Sequence, residues 1–149
     1  MGVIAIGVSG YRRRMLLYGD APAAGEPTLE LLRRALPAGN GAPEAATAIL
    51  ERAFTSWGWS GALDAASGCA RAVLDGLAGS PPDTLELFAF RRAHQLTVEI
   101  HYTGVTTRFH QAAADDPARA RAAARIDRLA PLWGVRPVND GEAVWFEFH

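Results

Sequence analysis

The 149-residue sequence contains one cysteine, Cys69, so it has no internal disulfide framework, and the expected compartment is a reducing cytoplasm. Cys69 shares helical spacing with Ala66, Ala70, Val73 and Leu77, which reads as a buried, inert thiol. Long apolar runs are missing too. The longest near the start, VIAIGV, is too short to span a bilayer, and the basic Arg12, Arg13 and Arg14 follow it rather than precede it, so neither a signal peptide nor a membrane span is expected. No sign of charge dominates: the net charge is -1, with an isoelectric point near 6.4. Without a basic field the chain has no general attraction for nucleic acid or an anionic membrane, which leaves proteins and small molecules as partners. His94, His101, His110 and His149 have no Cys or carboxylate at a ligand interval, and no metal site is expected. Internal repeats are absent.

What is present is enough apolar residue, 49% against 21% charged, for one domain with a sizeable core. Residues 3–18 hold two β-prone runs around Ser9-Gly10 and predict a hairpin; the GVSGY stretch has Tyr11 where a nucleophile elbow needs glycine, so a turn is the better reading. A loop follows, and TLELLRRAL predicts a short helix stopped by Pro37. From Pro43 to Gly58, Ala46, Ile49, Leu50, Ala53 and Trp57 recur on one helical face. A second helix is predicted over about 62–78, ended by Gly79-Ser80-Pro81-Pro82. Two strands, TLELFAF and QLTVEIHY, flank a basic turn at Arg91 to His94, and VTTRFH is a third short strand option. A helix over about 117–132 carries Ala118, Ala122, Ile126, Leu129, Ala130 and Trp133 on one stripe. GVRPV, a turn at Asn139-Asp140-Gly141 and the strand EAVWFEF close the chain.

Segregated runs of helices and antiparallel strands predict an α+β two-layer sandwich, with helices on one face of a mixed, mostly antiparallel sheet. The expected division is an N-terminal hairpin and short helix over 1–40, packed on a main domain over 41–149.

This order and three phrases, ILERAFTSWGWSG, DAASGCARAVLDGLAGS with LTVEIHYTG, and RIDRLAPLWGVRPVNDGEAVWFEF, resemble the histidine-kinase-like (GHKL) ATPase domain of actinobacterial anti-sigma-factor serine kinases. The resemblance covers roughly 43–149, reads a Trp-Gly-Val turn after the last helix, and implies a Bergerat-like fold. It also implies three ATP-binding sites. Where that family carries a glutamate and, four residues on, a magnesium-binding asparagine, this chain has Arg71 and Asp75. Aspartate suits a hard cation, but an arginine cannot act as a general base. Tyr102 stands where the family has the aspartate that holds adenine, although the following Gly104 is kept. The phosphate-binding Gly-x-Gly falls on Ala120 and Ala122, no glycine lies between Gly104 and Gly134, and Asp115 and Asp116 would repel phosphate at that helix start.

With all three sites altered, the expectation is a non-catalytic regulatory module without a cofactor, binding a sigma factor, an anti-anti-sigma protein or a second copy of itself. The alternative is a small-molecule binder or enzyme reusing the vacated pocket, with Arg71 on an anion, Asp75 as base and Tyr102 as donor. An open cavity lined by those three favours it; an Arg71–Asp75 salt bridge in a closed pocket argues against it. A working ATP-dependent serine kinase is the least expected reading. For partner contact the candidates are Arg12, Arg13 and Arg14, which serve equally well as a charged strand edge, and Trp145, which alternates away from the helix-covered face. Thr97, Glu99 and His101 share the face opposite Val98 and Ile100, giving a mixed polar and aromatic sheet face suited to a partner or a dimer.

Overall fold

In the computed structural model residues 3–5, 14–16, 30–105, 109 and 116–149 are described. Helix α1, Ala42–Trp57, starts with proline in its first turn and Glu44 beside the positive end of its dipole; Gly58 ends it at φ 76°, its amide bonded back to Thr55. A 3-10 turn, Ser60–Ala62, leads into α2, Leu63–Leu77. All five residues expected on its inner face, Ala66, Cys69, Ala70, Val73 and Leu77, are buried. On α1 the deepest residues are Ala46, Leu50 and Phe54, with Ile49, Ala53 and Trp57 packed at the margin. The third helix, α3, is Pro117–Leu129; Arg119, Ala122, Ala123 and Ile126 form its buried side.

Strands β1, Val3–Ala5, and β2, Arg14–Leu16, pair antiparallel, as the predicted hairpin requires; its Ser9-Gly10 turn lies outside the described residues. The main sheet has five strands: β3, Glu30–Ala35; β4, Thr84–Arg92; β5, Gln95–Thr103; β6, Leu132–Val138; and β7, Gly141–Phe148. Their order is β3-β4-β5-β7-β6, and every pairing is antiparallel, so the sheet is not mixed. The two hairpins have tight loops, Ala93-His94 and Asn139-Asp140, with Asp140 at φ 61°, a conformation Asp tolerates better than most residues. Helix α2 lies over β5 and β7, α1 beside β4 and α3 beside β6. Leu87, Val98, Ile100, Val144 and Phe146 are fully buried beneath the helices. The α+β sandwich therefore forms as the segregated pattern predicted.

Three expectations are corrected. TLELLRRAL is not a helix: Glu30–Ala35 is strand β3, paired with β4 from Glu30↔Arg91 to Ala35↔Glu86. Helix-forming Leu, Glu and Arg are overridden because β4 would otherwise leave its backbone groups unpaired at a sheet edge, while Leu36 is carried into the core. Strand β3, which lies within the 1–40 segment, belongs to the main sheet. The Trp-Gly-Val segment is not a turn either: Trp133, Gly134 and Val135 lie in β6, with Trp133 buried against the core. Of VTTRFH only Val105 and Phe109 are described, and neither is in a strand.

Candidate functional site

Alternation along β5 sends Leu96, Val98, Ile100 and Tyr102 toward the helices, and the ladder sets Tyr102 opposite Glu142 at the start of β7. Both side chains are buried, and the Tyr102 hydroxyl donates a hydrogen bond to Glu142 Oε1. The same oxygen accepts the Phe109 backbone N–H at 2.7 Å. Arg119, 3% exposed, reaches from α3 to donate through Nε to the Gly76 carbonyl at 3.4 Å. Burial, with the Glu142 carboxylate adding to it, pushes the Tyr102 hydroxyl well above the ordinary phenol range against a smaller opposing effect of Arg119. A phenol in this setting donates one hydrogen bond and stays neutral. It is neither a nucleophile nor an available partner for a ligand.

The remaining sequence candidates do not converge on Tyr102. Arg71 turns toward Glu44 of α1, at 3.5 Å, rather than toward Asp75, so the anticipated Arg71–Asp75 bridge does not form. Asp75 is exposed and lines a shallow groove of about 410 Å³ between α2 and α3, together with Ala122, Arg121, Arg125 and Arg128. Ala120 is half-buried one turn from the start of α3. Ala122 packs so closely on α2 that a Cβ at Gly76 would come within 3.1 Å of its own Cβ. Gly104, at φ 80°, has the Asp83 side chain beneath it and no room for a Cβ. At the start of α3, where amides would hold phosphates in the resembled family, Asp116 accepts from the backbone N–H of Ala118 at 2.9 Å and of Arg119 at 3.5 Å. An internal carboxylate therefore caps the helix and takes its anion position.

No family model, curated protein or solved structure matches this chain. The chemistry of the site therefore rests on its own residues. Among the described residues no group of three His, Cys, Asp or Glu side chains could hold a metal ion, and no helix is long and apolar enough to cross a membrane.

The opposite face of the sheet carries a second polar cluster. Glu99, 2% exposed, is bound through Oε1 by His101 Nε2 at 2.7 Å and Arg136 Nη2 at 2.6 Å. Arg136 lies two strands away, and it is Ala143, opposite both Arg136 and His101 in the ladders, whose small side chain leaves it a path across β7. Burial alone would raise the Glu99 carboxyl; the hydrogen bond from His101 and the charge and hydrogen bond of Arg136 outweigh it and hold the group below the usual carboxylate range. Glu147 on the same face shifts the other way, raised by its burial despite His149 and Arg92. The His101 ring sits 4.1 Å from the Phe88 ring centroid.

Alternation placed Thr97, Glu99 and His101 on this face correctly but missed its burial: Thr97 and Glu99 are buried, and Trp145, expected at a partner surface, is fully buried. Trp145 is thus part of the interior rather than of the exposed surface. Arg12 and Arg13 lie outside the described residues, as does His110, while Arg14 opens β2. Sequence reasoning did not single out Phe109, Arg119, Glu142 or Arg136. Glu142 had one legible signal, an acidic residue at an inward position of a β7 strand that is otherwise apolar on that face.

Proposed function

We propose that this chain is a non-catalytic regulatory protein-binding module that resembles an anti-sigma factor and has lost ATP binding. One observation carries the reading: the position expected to receive an adenine base is filled by Tyr102, whose hydroxyl is committed to the buried Glu142. The capping of α3 by Asp116 adds support, because a phosphate chain there would have to displace a carboxylate from the helix amides. The succession helix, helix, strand, strand, helix, strand, strand from residue 42 onward also agrees with the resemblance. On this reading the partner is a sigma factor, an anti-anti-sigma protein or a second copy of the chain, and the compartment is the cytoplasm.

Titration calorimetry with ATP and magnesium tests it. No binding heat is expected up to millimolar nucleotide, and a dissociation constant in the micromolar range overturns the proposal.

The small-molecule alternative draws its support from the groove between α2 and α3, where Arg121, Arg125 and Arg128 face Asp75 and an alanine-lined wall. It keeps Asp75 from the original candidate set and loses Arg71 and Tyr102, so its ligand would be an anion held by arginines rather than a base held by a phenol.

A further inference from the structure

Strand β3 is an edge of the five-stranded sheet, and among the described residues nothing pairs with its outer side. Its residues are exposed except for half-buried Leu32. Leu31, 66% exposed, is the one large hydrophobic side chain on the surface of the described residues. A groove of about 290 Å³ runs beside the strand, floored by Leu32, Ile49, Ala53 and Trp57 with Arg34 and Arg52 at its rim.

The ladder fixes which backbone groups are free. Leu36 donates its N–H to the Leu85 carbonyl, so alternate residues from Leu36 back, Arg34, Leu32 and Glu30, turn their backbone groups toward β4. Leu31, Arg33 and Ala35 turn theirs outward. Consistent with this, the Arg33 carbonyl is capped by the guanidinium of Arg34, Nη1 to O at 2.8 Å.

We infer that a second copy of the chain occupies this edge, joining β3 to β3 antiparallel about a two-fold axis at Leu32. Leu31 of each copy then exchanges backbone hydrogen bonds with Arg33 of the other. On the helix side, Glu30 of each copy faces Arg34 of the other, twice by symmetry, and the two Leu32 side chains meet at the axis over the apolar groove. On the opposite side, each Leu31 is covered by the aliphatic stem of Arg33, which Glu86 already holds at 2.7 Å. Arg34 leaves its own strand's carbonyl, now bonded across the axis, and turns to Glu30. Sliding the partner by two residues toward Arg33 sets Arg33 against Arg33 and Leu32 against Arg34, which charge disfavours, and sliding it the other way loses both Glu30–Arg34 pairs. The result is one continuous sheet through both copies.

This inference does not depend on whether nucleotide binds, and its test reads a different quantity. Sedimentation equilibrium of the full chain is expected to give twice the 15.9 kDa chain mass. Glu30→Arg, which places like charges opposite each other at two symmetric positions, is expected to raise the dimer dissociation constant about tenfold or more. Combining Glu30→Arg with Arg34→Glu re-creates both pairs and restores it. A monomer at all concentrations, a dimer indifferent to Glu30→Arg, or a double variant that stays as weak as the single one would each overturn the inference.

Discussion

The hydroxyl of Tyr102 donates to the carboxylate of Glu142, 40 residues away in sequence and directly opposite in the β5–β7 ladder. The bond ties the end of β5 to the start of β7 inside the protein. Glu142 is thereby given two donors in a buried place, the Tyr102 hydroxyl and the Phe109 N–H.

Tyr102→Phe removes one of those donors and leaves the carboxylate under-satisfied. It is expected to lower stability by about 1 to 2 kcal/mol in urea denaturation. Tyr102→Asp, which introduces the acidic residue of the resembled family, leaves a cavity and sets a second carboxylate beside Glu142, so the loss should exceed about 3 kcal/mol without any gain of ATP binding. Nucleotide binding by the aspartate variant would mean that the site is closed by Tyr102 alone.

Gly141 stands across from Thr103 and against the Tyr102 backbone; a Cβ there would come within 1.9 Å of the Tyr102 carbonyl oxygen. Because the obstacle is backbone, no rotamer change relieves it. Gly141→Ala should cost roughly 2 kcal/mol or more, read as a drop in thermal midpoint. An unchanged midpoint would contradict this close approach of β5 and β7.

Glu99 and Glu147 predict opposite responses to pH. The folded-state pKa of Glu99 is depressed, so its contribution is present above the unfolded carboxylate value near about 4.3 and is lost as pH falls through the lower folded value. At pH 7, Glu99→Gln removes the buried carboxylate that Arg136 and His101 both bind and should cost about 2 to 4 kcal/mol, a difference that shrinks in acid. Glu147 is raised, so its contribution is favourable below that range and is lost as pH climbs through its folded value. Glu147→Gln should therefore stabilise the protein at pH 7 and be neutral near pH 4. Urea midpoints of both variants across that range check the pair, and parallel curves would contradict the assignment.

Cys69 is fully buried on α2, and burial pushes its thiol up to about 12, with only a small opposing effect from Arg125. A neutral, enclosed thiol is a poor nucleophile. Reaction with a thiol-specific disulfide reagent should follow global unfolding, tracking the near-ultraviolet circular dichroism in rising urea. Rapid stoichiometric labelling of the native protein would show the thiol to be accessible.

Local pattern alone determined a good part of this protein. The apolar spacing of α1 and α2, Pro43 at one helix start and Gly58 at the end, and the alternation of β4, β5 and β7 each express interactions between near neighbours, so they could be read along the chain. The residue types at Arg71, Tyr102, Ala120 and Ala122 were legible for the same reason, since residue identity needs no fold. What only tertiary structure decided involves partners far apart in sequence. Within TLELLRRAL, Glu30–Ala35 became a strand because β4 lay beside it with an open edge. Arg71 chose Glu44, 27 residues back, over its helical neighbour Asp75. Tyr102 found Glu142, and Glu99 found Arg136 through the gap above Ala143. Burying a charge or hydroxyl is costly until a partner arrives, and the identity of that partner is set by strand order and register, which no single stretch of sequence contains.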